Sequence, residues 1–231
     1  MLGDAGCFSI PFGVAPHRLS GAVYGALLNH RSALDALGGS VNLPPYQAPP
    51  RAPVLYIKPR NTLGRSGDAV TVPAGTAELE AGVGVGMVIG RTACRVCESR
   101  ALDYVAGYLI VADVSIPHSD HYRPSIRLKA RDGYCPLGPT VVARAAVANP
   151  DALVVRTHID GVLVQTASTA ELIRSAAKLL AEVTEFMTLS PGDVLALGAA
   201  APAPRAKPGQ TMTVSVEGLG SLVIPFMGAA P

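Results

Sequence analysis

Three cations, Arg127, Lys129 and Arg131, occupy alternate positions in the segment from Ile126 to Pro139. If the segment is extended, side chains two apart share a face, and all three heads point the same way. At roughly 7 Å spacing and an effective dielectric near 20, each adjacent pair repels by about 2 kcal/mol. A polycarboxylate ligand, buried acids or open water must offset that; a solvated edge strand defended by its cations is the alternative without chemistry. Upstream, Asp113 closes the apolar run from Tyr108 to Val114. A carboxylate at the end of a buried strand is costly to ionise without a cation, a donor network or a metal. Five residues on, His118-Ser-Asp-His121 offers imidazoles for general acid/base work or a metal pair, or else solvated loop residues. Cys94-Arg-Val-Cys97 has zinc or redox spacing, but no second pair or histidine cluster completes it.

The elements that must position these groups read as β-rich. An apolar run from Cys7 to Val14, broken by Pro11 and Gly13, predicts a strand with a turn. Val23 to Leu37 favours a short helix ended by Gly38-Gly39. Asn42 to Pro53 is proline-rich and extended, Leu55 to Lys58 is a strand closed by Pro59, and Val70–Val72 and Leu79–Ile89 are extended. Gly82, Gly84 and Gly86 alternate along one face of that last strand and leave it open to something packed close. Because they lie inside a strand pattern rather than between strand and helix, they do not form a nucleotide loop. Ser99 to Val105 is a helical turn or two. Leu153–His158 and Val162–Thr166 form a hairpin about Asp160-Gly161. The capping box Ser168-Thr-Ala-Glu171 opens one long helix with the stripe Leu172, Ala176, Leu179, Leu180, Val183 and Phe186, packed on a sheet. Strands from Asp193 to Leu197, Thr211 to Val216 and Ser221 to Phe226 complete an α+β fold.

With 231 residues, 49% hydrophobic and only 16% charged, the chain can bury a large core and still leave an uncharged surface suited to a subunit interface. The net charge of +2 gives no nucleic-acid footprint. No run of eighteen apolar residues and no basic segment before an apolar N-terminal core appears, so neither a membrane span nor a signal peptide is expected. Four cysteines in a chain this long fit a reducing, cytoplasmic setting.

The stretch from Met187 to Gly198, then Pro208-Gly209 and Val216 to Pro225, resembles the fumarylacetoacetate hydrolase family. Ile57-Lys58-Pro59, Val88 to Arg91, Asp103 to Tyr108, Val111 to Ser115, Lys129 with Cys135-Pro136, and Asp160-Gly161 with Gln165 agree in order. The resemblance spans about Val23 to Pro225 and sets a boundary between an N-terminal strand and turn, 1–22, and the family domain, 23–231. Tyr122 to Gly133 and Asn42 to Tyr46 are most similar to the N-terminal half of the branch serving homoprotocatechuate (4-hydroxyphenylacetate) catabolism. It implies a mixed β-sandwich roll of the family type with one long helix. It also implies a homodimer or a heteromer with a C-terminal-type paralogous subunit, and metal-assisted chemistry on unsaturated 2-oxo diacids. The implied role is that of a subunit of a 5-oxopent-3-ene-1,2,5-tricarboxylate decarboxylase / 2-hydroxyhepta-2,4-diene-1,7-dioate isomerase.

Such reactions push electrons onto a keto oxygen, and the site must stabilise an enolate beside spectator carboxylates. On the resemblance, Lys129 contacts the oxo-acid end of a small polycarboxylate, Arg127 and Arg131 hold distal carboxylates, and Gln165 and Thr169 donate hydrogen bonds. Asp113 holds a metal or carries a proton, His118 serves as an acid/base, and an all-oxygen site favours Mg2+ or Mn2+. Two departures bear on this. The family's metal-binding Glu-x-Glu pair falls on Gly82 and Gly84, while Glu78 and Glu80 stand four residues early, roughly 13 Å along the strand. Either a four-residue bulge or insertion restores Glu78 and Glu80 as ligands, or the metal site is dismantled. The family's water-activating His and Glu fall on Ala33 and Ala36, with His30 out of register and expected in a core or surface role. An acylpyruvate hydrolase is therefore disfavoured, and a catalytically weak partner of a metal-bearing paralogue is the remaining alternative.

Overall fold

The computed structural model describes residues 10–11, 14–44, 47–118 and 125–229. Two sheets face one another. The larger contains β1 (Val23–Leu27), β2 (Val54–Lys58), β3 (Leu63–Arg65), β5 (Leu79–Ile89), β6 (Val105–Ser115), β7 (Cys135–Ala143), β10 (Val194–Ala196) and the short β11 (Arg205–Ala206). The smaller contains β4 (Val70–Val72), β8 (Val154–Ile159), β9 (Val162–Ser168), β12 (Thr211–Val216) and β13 (Gly220–Gly228). The strand orders are β2-β1-β10-β5-β6-β7-β3, with β11 alongside β5, and β4-β13-β12-β8-β9. Parallel and antiparallel pairs mix in both. This is the β-rich sandwich expected, with α3 (Ala176–Phe186) its longest helix.

Period-two alternation explains how β5 and β6 serve two cores. Leu79, Ala81, Val83, Val85, Met87 and Ile89 of β5, with Tyr108, Ile110, Ala112 and Val114 of β6, meet Met212, Val214, Leu222, Ile224 and Phe226 between the sheets. The other face carries Val88, Leu109 and Val111, packed with Ile10, Val23, Cys135, Leu137, Val141 and Val194 in a second, smaller cluster. Gly82, Gly84 and Gly86 lie on this outer face, and so does Asp113. Among the described residues no helix is long and apolar enough to cross a membrane.

Three local expectations are corrected. Val23 to Leu37 is not one helix: β1 pairs with β2 and β10, and only Arg31–Asp35 is helical, as α1. Two ladders of sheet partners outweigh a weak helical pattern. The capping box does not open the long helix; Ser168 caps a 3-10 turn at Thr169–Glu171, the chain then extends, and Ser175 is the cap of α3. The apolar stripe therefore breaks, leaving Leu172 outside the helix and Phe186 exposed, and α3 packs chiefly on the 3-10 segment Glu98–Tyr104. The third correction bears most on function: Ile126–Lys129 is one helical turn, α2, not strand. At 100° per residue, side chains two apart on a helix diverge, so Arg127 and Lys129 cannot share a face. Of the two alternatives for β5, no bulge is present between Glu80 and Val88: its ladder with β6 runs unbroken from Glu80↔Ser115 to Val88↔Gly107. The predicted N-terminal strand lies largely outside the described residues, as do Tyr46, His121 and Tyr122.

Candidate functional site

β6 carries Asp113 to the rim of the large sheet, on the outer face and directly opposite Gly82 of β5. Burial has compensation there. Lys58 Nζ, at the end of edge strand β2 and with no exposed surface, lies 2.8 Å from Asp113 Oδ1. Lys129 Nζ, at the end of α2, lies 2.8 Å from Oδ2 and donates a hydrogen bond to it. Lys58 also donates to the carbonyls of Val114 (2.6 Å), Lys129 (2.7 Å) and Tyr134 (3.0 Å). One ammonium thus ties the end of β6, the end of α2 and the approach to β7 together, and charge-assisted bonds of this kind are the strong ones. Tyr56, two residues before Lys58 on β2, turns its ring under the Lys129 ammonium, 5.3 Å from centroid to Nζ. That ring lies on the bare backbone of Gly25, where a Cβ would come within 2.1 Å of it.

The electrostatics follow from these contacts. Burial pushes Asp113 up, but two ammoniums and their hydrogen bonds together outweigh it and hold the carboxyl below its usual range. Burial lowers Lys58 and repulsion from Lys129 adds to it, against the pull of Asp113. Burial, then the charge of Asp113, raises Tyr56 well above an ordinary phenol. Burial raises the neighbouring Cys135 thiol to about 12, so it stays protonated at neutral pH.

The expected site residues part company around this centre. Lys129 and Asp113 meet. Arg127 is exposed, and Arg131 lines a different cavity of about 380 Å³ with Thr71, Pro73, Ala74, Asp132 and Tyr134. The cationic stripe is thereby dispersed. His118 sits three residues beyond β6, its Nδ1 2.9 Å from the Ile116 carbonyl. Gln165, on β9, borders a cavity of about 340 Å³ and donates to the Pro202 carbonyl at 2.8 Å. The Thr169 hydroxyl accepts the amide of Leu153 at 2.8 Å and is buried. Glu78 and Glu80 are bound to Arg205, at 3.1 and 3.6 Å, and Ser115 donates to Glu80 at 3.2 Å. Gly84 faces a backbone: a Cβ there would stand 2.6 Å from the Gly198 carbonyl oxygen, and one on Gly82 would stand 3.3 Å from the Ala199 side chain. Among the described residues no group of three or more His, Cys, Asp or Glu side chains converges as a metal site.

Lys58 and Tyr56 were missed as site residues by spacing. The signal that existed was Lys58 itself, a lysine between apolar residues and a proline, which is an odd choice for a strand end unless its charge is used. Asn29 is a further hub: its amide donates to the carbonyls of Leu197 (2.7 Å) and Arg174 (3.1 Å) and accepts the Arg174 amide (3.0 Å).

Comparison with known proteins identifies the family. The family model described as fumarylacetoacetate (FAA) hydrolase C-terminal matches residues 22–226. The chain is 41% identical, over 90% of its length, to the 4-hydroxyphenylacetate degradation bifunctional isomerase/decarboxylase of Escherichia coli, and covers 48% of that protein. It spans about half the length of the curated relatives it matches. Among solved structures, the 5-carboxymethyl-2-hydroxymuconate delta-isomerase of Mycobacterium smegmatis superposes with a TM-score of 0.76 at 27% identity, over 94% of this chain and 82% of that one. The fumarylpyruvate hydrolase of Pseudomonas aeruginosa, solved with Mn2+ and pyruvate, shares the fold at a TM-score of 0.83 and 20% identity, over 99% of both chains. With the family model matched over residues 22–226 and the fold shared with its solved relatives, the chain belongs to the fumarylacetoacetate hydrolase family.

Proposed function

We propose that the chain is an enzyme subunit that decarboxylates or isomerises unsaturated 2-oxo diacids of the 4-hydroxyphenylacetate pathway. The observation that carries this reading is the Lys58–Asp113–Lys129 cluster, two ammoniums on one carboxylate, with a net positive charge fixed at the end of a buried strand. Loss of CO2 from a 2-oxo enoate, or migration of its double bond, places negative charge on the keto oxygen. An ammonium already held in place stabilises that charge without reorganising. Lys129 retains some exposure and is the donor to the oxo acid; Lys58, wholly buried, keeps Asp113 ionised, and Asp113 keeps Lys129 aimed. Arg127 is exposed on α2 but does not share the face of Lys129, and neither it nor Arg131 is assigned a role at a distal carboxylate.

The described residues around Asp113 do not fit a divalent cation. Its two oxygens are each 2.8 Å from an ammonium, and the facing positions Gly82 and Gly84 carry no ligand. A magnesium site needs near-octahedral oxygen donors, which this donor set lacks. In this reading lysine supplies the positive charge at the oxo group. The same glycines favour a second reading, in which the chain is a weak partner of a metal-bearing paralogous subunit.

Turnover of 5-oxopent-3-ene-1,2,5-tricarboxylate by the purified chain, with and without EDTA, separates the two. CO2 release unchanged by the chelator is expected. Release that appears only on mixing with a metal-bearing paralogue replaces the first reading by the second.

A further inference from the structure

We infer that His30 and Glu171 form the acid/base pair for the double-bond shift, with His30 as a second donor, beside Lys129, to the enolate oxygen and Glu171 acting as base at carbon. The inference rests on the substrate class just proposed. His30 caps α1, and its Nδ1 accepts the Ser32 amide at 3.3 Å and lies 2.9 Å from the Ser32 hydroxyl. That hydroxyl oxygen already accepts the amide of Ala201 at 3.0 Å, so its own hydrogen turns to Nδ1. Both neighbours donate to Nδ1, which fixes the neutral imidazole's proton on Nε2.

Nε2 is buried and has no hydrogen-bond partner among the described residues. Glu171 Oε2 lies 3.6 Å from it, beyond hydrogen-bonding distance. The His30 side chain is 4% exposed and that of Glu171 56%, so one group is fixed and the other is free to reach. Both line the cavity of about 340 Å³ bordered by Gln165, Ala200, Ala201 and Pro202. Ala199, the next residue back along this wall, lies against Gly82, the residue facing Asp113. The two groups of side chains therefore flank one short segment. A buried N–H left without an acceptor is costly, and a histidine kept only for packing has no need of that cost.

A carboxylate base beside a neutral imidazole that donates to developing oxyanion charge is an established arrangement for proton abstraction next to carbonyls. For a 2-oxo-3-ene diacid, Glu171 takes a proton from the carbon beyond the double bond and that C–H bond breaks. Its electron pair shifts the double bonds along the chain and arrives on the oxo oxygen, hydrogen-bonded to His30 Nε2–H. Glu171 then passes the same proton to that oxygen, giving the dienol; the reverse path returns it to carbon. Nothing is oxidised, and no co-reactant is consumed.

The test is exchange of the C5 hydrogens of 2-oxohept-3-ene-1,7-dioate in D2O, followed by NMR, for the wild-type chain and for Glu171→Gln and Glu171→Asp, with 15N spectra of the His30 ring. Exchange by wild type, a loss of about 100-fold or more in Glu171→Gln, partial recovery in Glu171→Asp and a protonated Nε2 are expected. A Glu171→Gln rate within about twofold of an active wild type overturns the pair and leaves the substrate class standing. A ring proton on Nδ1 overturns the role of His30. No exchange by wild type overturns the pair together with the substrate class on which it rests.

Discussion

Asp113 is a carboxylate whose ionisation is maintained by two lysines, and both partners can be tested separately. Lys58→Met leaves the carbonyls of Val114, Lys129 and Tyr134 without their donor and Asp113 with one cation. Breaking a buried pair costs about 3–5 kcal/mol, so a fall in unfolding free energy of that order is expected in denaturant titrations. The pH dependence has a definite sign. The folded pKa of Asp113 lies below its unfolded value, so the unfolded chain binds more protons between the two. The stabilisation is complete above the ordinary carboxylate range and is lost as pH falls through the depressed folded value. Thermal melts should hold on the neutral side and drop on the acid side; a melting temperature that rises on acidification contradicts the assignment. Cys135, raised to about 12 and buried, should resist iodoacetamide at pH 8 while exposed Cys94 and Cys97 react, as peptide mass mapping would read. Lys129 and Asp113 were legible from residue type and family order. Lys58 was not, because beside Asp113 its partners are backbone carbonyls 56 to 76 residues away, and carbonyl oxygens carry no sequence signature.

Among the elements, β5 is where this chain departs most from the metal-binding pattern. Its glycine face is filled by the turn after β10: the Gly198 carbonyl occupies the space a side chain on Gly84 would need. Gly84→Glu therefore displaces that turn, and overpacking of this kind costs about 1–3 kcal/mol. Calorimetry should find no gain in Mg2+ affinity from this change alone; tight binding would show that the turn gives way. The glycine alternation, β4, β5, β6, the hairpin at Asp160-Gly161 and the closing strands were legible because period-two patterning and αL turn residues are local signals. Asp160 and Gly161 both have positive φ, as that turn requires. The reading failed at β1, at α2 and at the start of α3. In β1 the deciding factors are partners contributed by β2 and β10, distant in sequence. In α2 an alternating charge pattern fitted a strand, but Lys129 must turn to reach Asp113 and its carbonyl to reach Lys58.

On the scale of the molecule, two packed sheets leave one element conspicuously unfinished. β9 is the edge of the smaller sheet, and Val162, Leu163 and Val164 on it are exposed. An exposed apolar edge strand invites association. It supports assembly through this edge, and sedimentation at micromolar concentration should find no monomer. A single monomeric species would remove that part of the account. Assembly was expected from the low charge content, whereas the surface that would carry it emerges only from the strand order. The central claim is chemical: an ordered lysine ammonium, set by Asp113 and Lys58, stabilises the enolate of a 2-oxo acid. Steady-state CO2 release by Lys129→Met, beside circular dichroism of the same sample, tests it most directly. The prediction is a native spectrum with turnover lowered by a factor of at least about 100; a native spectrum with turnover equal to wild type would contradict it.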